Sequence, residues 1–402
     1  MRILIIHSYY GSSAPSGENQ VFEAERQLLL GSGHEVITFT RHSDEWRRQG
    51  VWGIVKGALA TPWNPWMFHA VRNLVHKYKP DVVHVHNTFP RFSPAIFHAI
   101  GSSTARVLTL HNYRLFCPAA IPVRAGQICT ECLDRHSVWP ALQYGCYRNN
   151  RLATMPLAAS VALHKFLRTW THHVDAFIAL TEFQRQRMIG AGLPADRISV
   201  KPNFFPDSPN TVPWSARKPY AVFAGRLTAE KGVDVLVRAW LQWGSQAPEL
   251  RIIGDGVLRN DLQTLANAQP DVPIHFLGLL TQDEAQAEIS SAKLLIVPSI
   301  WFEGFPMVVG EAFAFATPIA VSDIGPLPSI VTNGVNGLVF SPADPCSLLN
   351  CVRDAWEVPG LFEQLSKNAR EEFQMRYTQD KNIDILMKIY TKAISTARGS
   401  NC

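Results

Sequence analysis

Two series of short apolar runs, each alternating with longer amphipathic stretches, constrain this chain more than any other feature. RILIIH, HEVITFT, PDVVHVHN, ARVLTLHN, VDAFIAL and ISVKPN read as strands of one sheet, with helical stretches such as Val21–Leu30, Trp66–Tyr78 and Ser160–Trp170 between them. The pattern then restarts with YAVFAGR, ELRIIGDG, VPIHFLG, KLLIVPS, TPIAVSD and GLVF. Strands buried on both faces and separated by helices form parallel sheets, so the reading is α/β with two doubly wound domains. A chain of 402 residues is also too long for one hydrophobic core. The proline-rich, aperiodic stretch FFPDSPNTVPWSARKP marks the join. The expected organisation is a first domain over 1–204, a linker over 205–218, a second domain over 219–378, and a C-terminal helix and tail over 379–402 that pack back across the hinge. Ligands of open parallel sheets bind at the carboxyl ends of the strands, so two such domains would offer a cleft with a site on each wall.

Composition removes several classes. Charged residues make up 18% and apolar residues 47%, which suits a folded chain and not a disordered one. No run of apolar residues is long enough to span a bilayer. MRILIIHSYY reads as a buried first strand, too short for the core of a signal peptide, and the expected location is cytoplasmic. The net charge of +5 hides an asymmetry: residues 1–202 hold 22 Lys+Arg against 12 Asp+Glu, and the rest of the chain is acidic. A basic half attracts an anionic partner such as a phospholipid leaflet, a lipid diphosphate or a nucleic acid, or is simply a solvated basic surface.

The second domain carries the denser chemistry. In FEGFPMVVGE, Pro306 suits the first turn of a helix, and Gly304 allows the backbone close to a ligand. The backbone groups of Phe305, Met307 and Val308 then lie at the positive end of a helix dipole, where phosphate binds well. Glu303 falls on the preceding loop and Glu311 inside the helix, so the two acids address different parts of one ligand. Upstream, YAVFAGRLTAEKG places Arg226 and Lys231 around a strand-to-helix turn, a fork and a point charge suited to a diphosphate.

The combination GRLTAEKG, IIGDGVL and PSIWFEGFPMVVGEAFAFATPIAVSDIG, with PDVVHVHNTFPRFSP and TLHNYRLFCP in the first half, resembles the retaining glycosyltransferases of family 4, which have the GT-B fold of two Rossmann-like domains. The resemblance runs over nearly the whole chain, and the E-x7-E spacing is its signature. It implies that Arg226 and Lys231 bind the diphosphate of a nucleotide-sugar donor and that Glu311 binds the ribose. Glu303 would meet the sugar ring, with Gly304 to Val308 around sugar and phosphate. It further implies that Gly17, in SAPSGENQ, belongs to a loop over the donor phosphates, and that His111 contacts the transferred sugar. His86 points toward the strand end and lines the cleft, whereas His84 is packed. The chain departs from the family at Ala316, where glycine is common, and at Ser329, where glutamate is.

No D-x-D pair is placed to hold a divalent metal, so no cofactor is expected for catalysis, and the leaving diphosphate falls to Arg226, Lys231 and the helix dipole. The implied reaction is sugar transfer with retention, the departing phosphate taking the acceptor's proton; no protein nucleophile is assigned. Cys117, Cys129, Cys132 and Cys146, in an insert over 117–146, have a spacing that suits a structural zinc or simply buried thiols; Cys346, Cys351 and Cys402 suggest no site. WRRQGVWGIVKGALATPWNPWMFHAVRNLVHKYK mixes tryptophan with basic residues and reads either as a peripheral contact with an anionic membrane or as a buried helix pair. The membrane reading fits a saccharide or lipid-linked saccharide acceptor, as in surface polysaccharide assembly. Rival readings are a nucleotide-sugar epimerase on the same fold and a zinc-containing nucleic-acid-binding protein; the acidic second half argues against nucleic acid.

Overall fold

The computed structural model describes residues 1–9, 17–206 and 208–399. The stretch Ser13–Ser16 ahead of Gly17, and Cys402 at the tail, lie outside the described residues. The chain divides into two compact units, one formed by Met1–Pro122, Cys129–Pro202 and the C-terminal segment from Asn382, the other by Val123–Ile128 and Asn203–Lys381.

The first unit is built on a six-stranded, wholly parallel sheet. Its strands are β1 (Arg2–Tyr9), β2 (Glu35–His42), β3 (Val82–Val85), β4 (Ala105–Leu110), β5 (Ala176–Ala179) and β6 (Ile198–Val200), in the order β2-β1-β3-β4-β5-β6. β3, β4 and β5 are buried at every position, as expected of strands covered on both faces. Its helices include α1 (Gly17–Gly31), α2 (Gly50–Ala60), α3 (Pro65–Tyr78) and α4 (Arg151–Phe166). The stretch read as one helix over Ser160–Trp170 is broken: α4 stops at Phe166, Arg168 takes a left-handed φ of 52°, and a separate short helix covers Thr169–His172. Thr169 fixes the break, because its hydroxyl bonds both His164 Nδ1 and His98 Nε2 at 2.8 Å.

The second unit repeats the plan with β7 (Lys218–Ala224), β8 (Glu249–Ile253), β9 (Ile274–Gly278), β10 (Ala292–Val297), β11 (Ile319–Ser322) and β12 (Leu338–Phe340), all parallel, in the order β9-β8-β7-β10-β11-β12. Helix α5 (Val233–Trp243) lays Val233, Leu236, Val237 and Trp240 on this sheet, the spacing of one helical face. Trp240 is fully buried and its indole N–H donates to the Pro248 carbonyl at 2.8 Å, so its polar atom is not stranded.

The sheet of each unit therefore presents its carboxyl edge to the loops that carry the candidate residues. Helix α6 (Met307–Ala314) follows β10, and helix α7 (Gln379–Gly399) closes the chain. From Asn382 onward α7 belongs to the first unit, where Leu386, Ile389, Tyr390 and Ala393 join Ile3, Ile5, Val82 and Ile178 in one core. A fully buried leucine such as Leu386 contributes about 2 kcal/mol by burial alone, which is what fastens this last helix.

Candidate active site

In the second unit, β7 and β10 are neighbours, and the loops leaving their carboxyl ends interlock. The Ile300 N–H donates to the Glu230 carbonyl at 3.0 Å. The tightest approach is at Gly232, which has φ 65°; a Cβ there would lie 1.9 Å from the Pro298 carbonyl oxygen, so only glycine fits. This junction brings Lys231 and Glu303 together: Lys231 Nζ donates to Glu303 Oε1 at 2.7 Å, and Ser299 Oγ donates to the same oxygen at 2.7 Å. Glu303 is buried, Lys231 partly so. Arg226 is exposed and lies 3.3 Å from Glu230.

Pro306 stands at the N-cap of α6 with extended backbone, one position before the first helical turn in which the sequence reading placed it. No side chain caps this helix start, and Gly304, Met307 and Val308 are partly exposed around it, with Phe305 buried beneath. The Phe305 carbonyl accepts from Asn203 Nδ2 at 3.1 Å, which anchors the loop. Glu311 lies in the second turn; burial raises its pKa, partly offset by the Gln286 side chain. Glu303 and Glu311 thus have separate partners. At the other end of α6, the Thr317 N–H bonds the Ala312 carbonyl at 2.7 Å and Ala316 takes φ 56°. This left-handed cap is the position where glycine is common in the family, and the geometry supplies the reason.

In the first unit, His111 directly follows β4 and lines a small cavity with His86, Asn87, Asn112 and Arg114. Burial, reinforced by His86, holds its pKa well below the usual histidine range, so the ring is neutral near pH 7. Gly17 is the exposed first residue of α1. Beside it sits a residue the sequence reading missed: Glu18 accepts from Asn112 Nδ2 at 2.8 Å and from Asn87 Nδ2 at 2.7 Å. Burial raises the Glu18 pKa against these bonds. His84 is fully buried as expected, and burial together with His86 lowers its pKa to about 4.

The cysteines of the insert are unbridged thiols. Burial pushes Cys117 up to about 12 and Cys132 to about 11. Among the described residues, the one group of three or more His, Cys, Asp or Glu whose ligand atoms all lie within 4.8 Å is Glu25, His84 and His86. The Cys117 thiol interacts with Cys132 and Cys146, and that of Cys132 with Cys146 and Cys129, so the four thiols are neighbours.

Two family profiles, placed end to end, cover most of the chain: one described as Glycosyltransferase Family 4 matches residues 17–208, and one described as Glycosyl transferases group 1 matches residues 205–372. The chain belongs to glycosyltransferase family 4. An uncharacterised glycosyltransferase of Methanocaldococcus jannaschii is 31% identical over 176 residues, 43% of this chain and 45% of that protein. A D-inositol 3-phosphate glycosyltransferase of Nocardioides is 28% identical over 185 residues, 41% of this chain and 40% of that protein. The matched region spans about half the length of these curated relatives. Among solved structures, sucrose-phosphate synthase of Thermosynechococcus elongatus superposes with a TM-score of 0.70 at 17% identity, covering 98% of this chain and all of the other. HepE of Anabaena, solved in complex with UDP, superposes at 0.65 with 18% identity over 97% of this chain and all of the other. The GT-B fold implied by the sequence motifs is the fold of this family 4 member.

Proposed function

We propose that this glycosyltransferase transfers a sugar from a nucleoside-diphosphate sugar to a saccharide or lipid-linked saccharide acceptor, with retention and without a metal. The observation that carries this reading is the Lys231–Glu303 pair beside the uncapped start of α6: a cation for the diphosphate next to an acid for the sugar hydroxyls. Glu311, a turn further along, would take the ribose, and Arg226 a second diphosphate oxygen. The UDP and UDP-glucose complexes of HepE support a nucleotide-sugar donor. In the step itself, the bond from anomeric carbon to diphosphate oxygen breaks as the acceptor oxygen bonds to that carbon from the same face. The acceptor proton passes to the leaving diphosphate. Thermal stabilisation by a panel of nucleoside diphosphates and their sugars tests the donor site. One nucleotide should raise the melting temperature of the wild type and not that of Glu311→Ala; no shift with any of them would remove the reading.

The acceptor side of the proposal rests on the first unit's surface. Helix α2 exposes Val51 (75%), Trp52 (82%), Ile54 (67%) and Leu59 (76%), and α4, packed against it, exposes Leu152 and Met155. The burial expected of a core helix pair is therefore absent from α2. Lys56, on the same helix, lies 4.6 Å from the Trp66 ring centroid; Arg48, just ahead of α2, and Arg151, next to Leu152 on α4, are exposed. Aromatic and aliphatic groups beside cations suit peripheral contact with an anionic leaflet, although no helix among the described residues is long and apolar enough to cross a membrane. Vesicles containing phosphatidylglycerol should sediment the wild type and leave the Trp52→Glu/Leu59→Glu variant in solution; equal partitioning of both would end this part of the proposal.

A further inference from the structure

Behind His111 runs a chain of buried groups that no step above uses. Glu25 lies on α1 among Val21, Phe22 and Leu29, on the face that packs into the core, and is fully buried. Lys201 Nζ donates to its Oε2 at 2.8 Å and is itself buried. The other carboxylate oxygen, Oε1, lies 3.1 Å from His86 Nε2 and 3.0 Å from His84 Nδ1. His86 Nδ1 in turn lies 3.2 Å from His111 Nε2. The sequence is thus Lys201, Glu25, His86, His111, drawn from β6's exit, α1, β3's exit and β4's exit. His84 anchors it sideways, with Tyr390 Oη of α7 at 2.7 Å and Thr109 Oγ1 at 2.8 Å. The three groups Glu25, His84 and His86 are close enough together for a cation, but hydrogen-bond distances already account for their closeness, and the Lys201 ammonium occupies the same carboxylate.

We propose that Glu25 and His86 are positioning residues that fix the tautomer of His111, leaving its Nδ1 as a bare hydrogen-bond acceptor for a substrate hydroxyl. The assignment follows from counting protons. An ionised carboxylate only accepts, so His86 must carry its proton on Nε2. A neutral His86 then has a bare Nδ1, and the His111 nitrogen facing it at 3.2 Å must donate, which puts the His111 proton on Nε2. The opposite tautomer of His111 would set two lone pairs against each other at that distance. An imidazolium at His86 would escape this, but it would add a second cation to a carboxylate that Lys201 already balances, with the rings of His7, His84 and His111 packed around it. Burial works to raise the Glu25 pKa, yet the Lys201 ammonium leads the groups that outweigh it, and the carboxyl is held well below its usual range, in keeping with the ionised state.

The consequence is a rule of recognition. A bare Nδ1 accepts from a hydroxyl and repels a phosphate oxygen or a carbonyl, so His111 reads a hydroxyl of the transferred sugar or of the acceptor. A sugar lacking that hydroxyl is rejected because the buried acceptor is left unpaired. This inference rests on the sugar-transfer reading proposed above and on the contact of His111 with the transferred sugar that the family resemblance implies.

The test is the 15N spectrum of the wild-type imidazoles at neutral pH, with His111 assigned by difference from His111→Gln. The expected His111 signature is one protonated nitrogen, Nε2, and one bare nitrogen, Nδ1. A proton on Nδ1, or fast exchange between both tautomers, overturns the proposal without any further variant. The second arm is Glu25→Leu/Lys201→Met, which removes both buried charges together so that neither is stranded. It should shift His111 to a mixture of tautomers and lower kcat/KM about 100-fold, because the substrate hydroxyl then meets its acceptor in only part of the population. A folded double variant that keeps the wild-type tautomer and kcat/KM also overturns it. If the wild type binds no nucleotide sugar, the functional reading fails while the tautomer result stands on its own.

Discussion

Lys231→Met should cut sugar transfer about 10²–10³-fold while the protein stays folded. In the free protein the ammonium is held 2.7 Å from Glu303 Oε1, on a loop pinned to its neighbour through Gly232 and Pro298. Its position is therefore set before the donor arrives, and no side-chain ordering is left for the moment of reaction. As the diphosphate departs, negative charge grows next to a cation that needs no rearrangement, which is why the loss should appear in kcat as well as in donor affinity. Arginine is a poor substitute, because its planar fork cannot keep both the point contact to Glu303 and the diphosphate. The single variant also leaves the buried Glu303 carboxylate with Ser299 as its remaining partner, and this lowers stability. Lys231→Met/Glu303→Gln should recover stability and remain inactive, which separates the electrostatic role from the structural one. Steady-state transfer rates and urea unfolding of the three proteins make the comparison; a Lys231→Met enzyme that transfers at the wild-type rate would remove Lys231 from the chemistry.

How much of this was readable in the sequence depends on whether the signal was local. Each of the twelve strands overlaps one of the apolar runs, with ends that differ by up to three residues, because strands covered on both faces leave a near-continuous hydrophobic signature. The break after Phe166 left no such mark: a left-handed arginine is invisible to composition, and the hydroxyl of Thr169 that stabilises the break is chosen by two histidines elsewhere in the fold. The small hairpin of Val123–Arg124 with Gln127–Ile128, inside the cysteine-bearing insert, was missed for the same reason, since two-residue strands carry no periodicity. Around His111 the motif TLHN pointed to the residue but not to what stands behind it. Glu25 and Lys201 are 176 positions apart, and only the fold joins them. One clue was available: Val21, Phe22, Glu25 and Leu29 share one helical face, so a lone acid interrupts an apolar stripe. An acid in that position must be paired, and the pairing is where the further inference began.

The interlocked loops of the second unit predict a sharp contrast between two glycines. Gly232 and Gly33 both have left-handed backbone, with φ of 65° and 78°, so alanine at either meets the same backbone penalty of about 1 kcal/mol. They differ in space. Nothing lies within 4 Å of a Cβ at Gly33, whereas a Cβ at Gly232 would meet the Pro298 carbonyl oxygen at 1.9 Å and its carbon at 2.9 Å. A carbonyl oxygen is backbone and cannot rotate away, so relief requires the whole Pro298–Glu303 loop to retreat by more than 1 Å. That retreat also pulls Glu303 from Lys231 and loosens the start of α6, so the destabilisation compounds. Gly33→Ala should lower the unfolding free energy by about 1 kcal/mol and leave nucleotide binding intact. Gly232→Ala should lose about 4 kcal/mol or more and, in whatever fraction stays folded, fail to bind the nucleotide sugar. Denaturant unfolding and calorimetric titration of the pair decide the matter. Equal losses would mean that backbone strain alone governs Gly232, and that the loops carrying Lys231 and Glu303 are free to move apart without harm to the site.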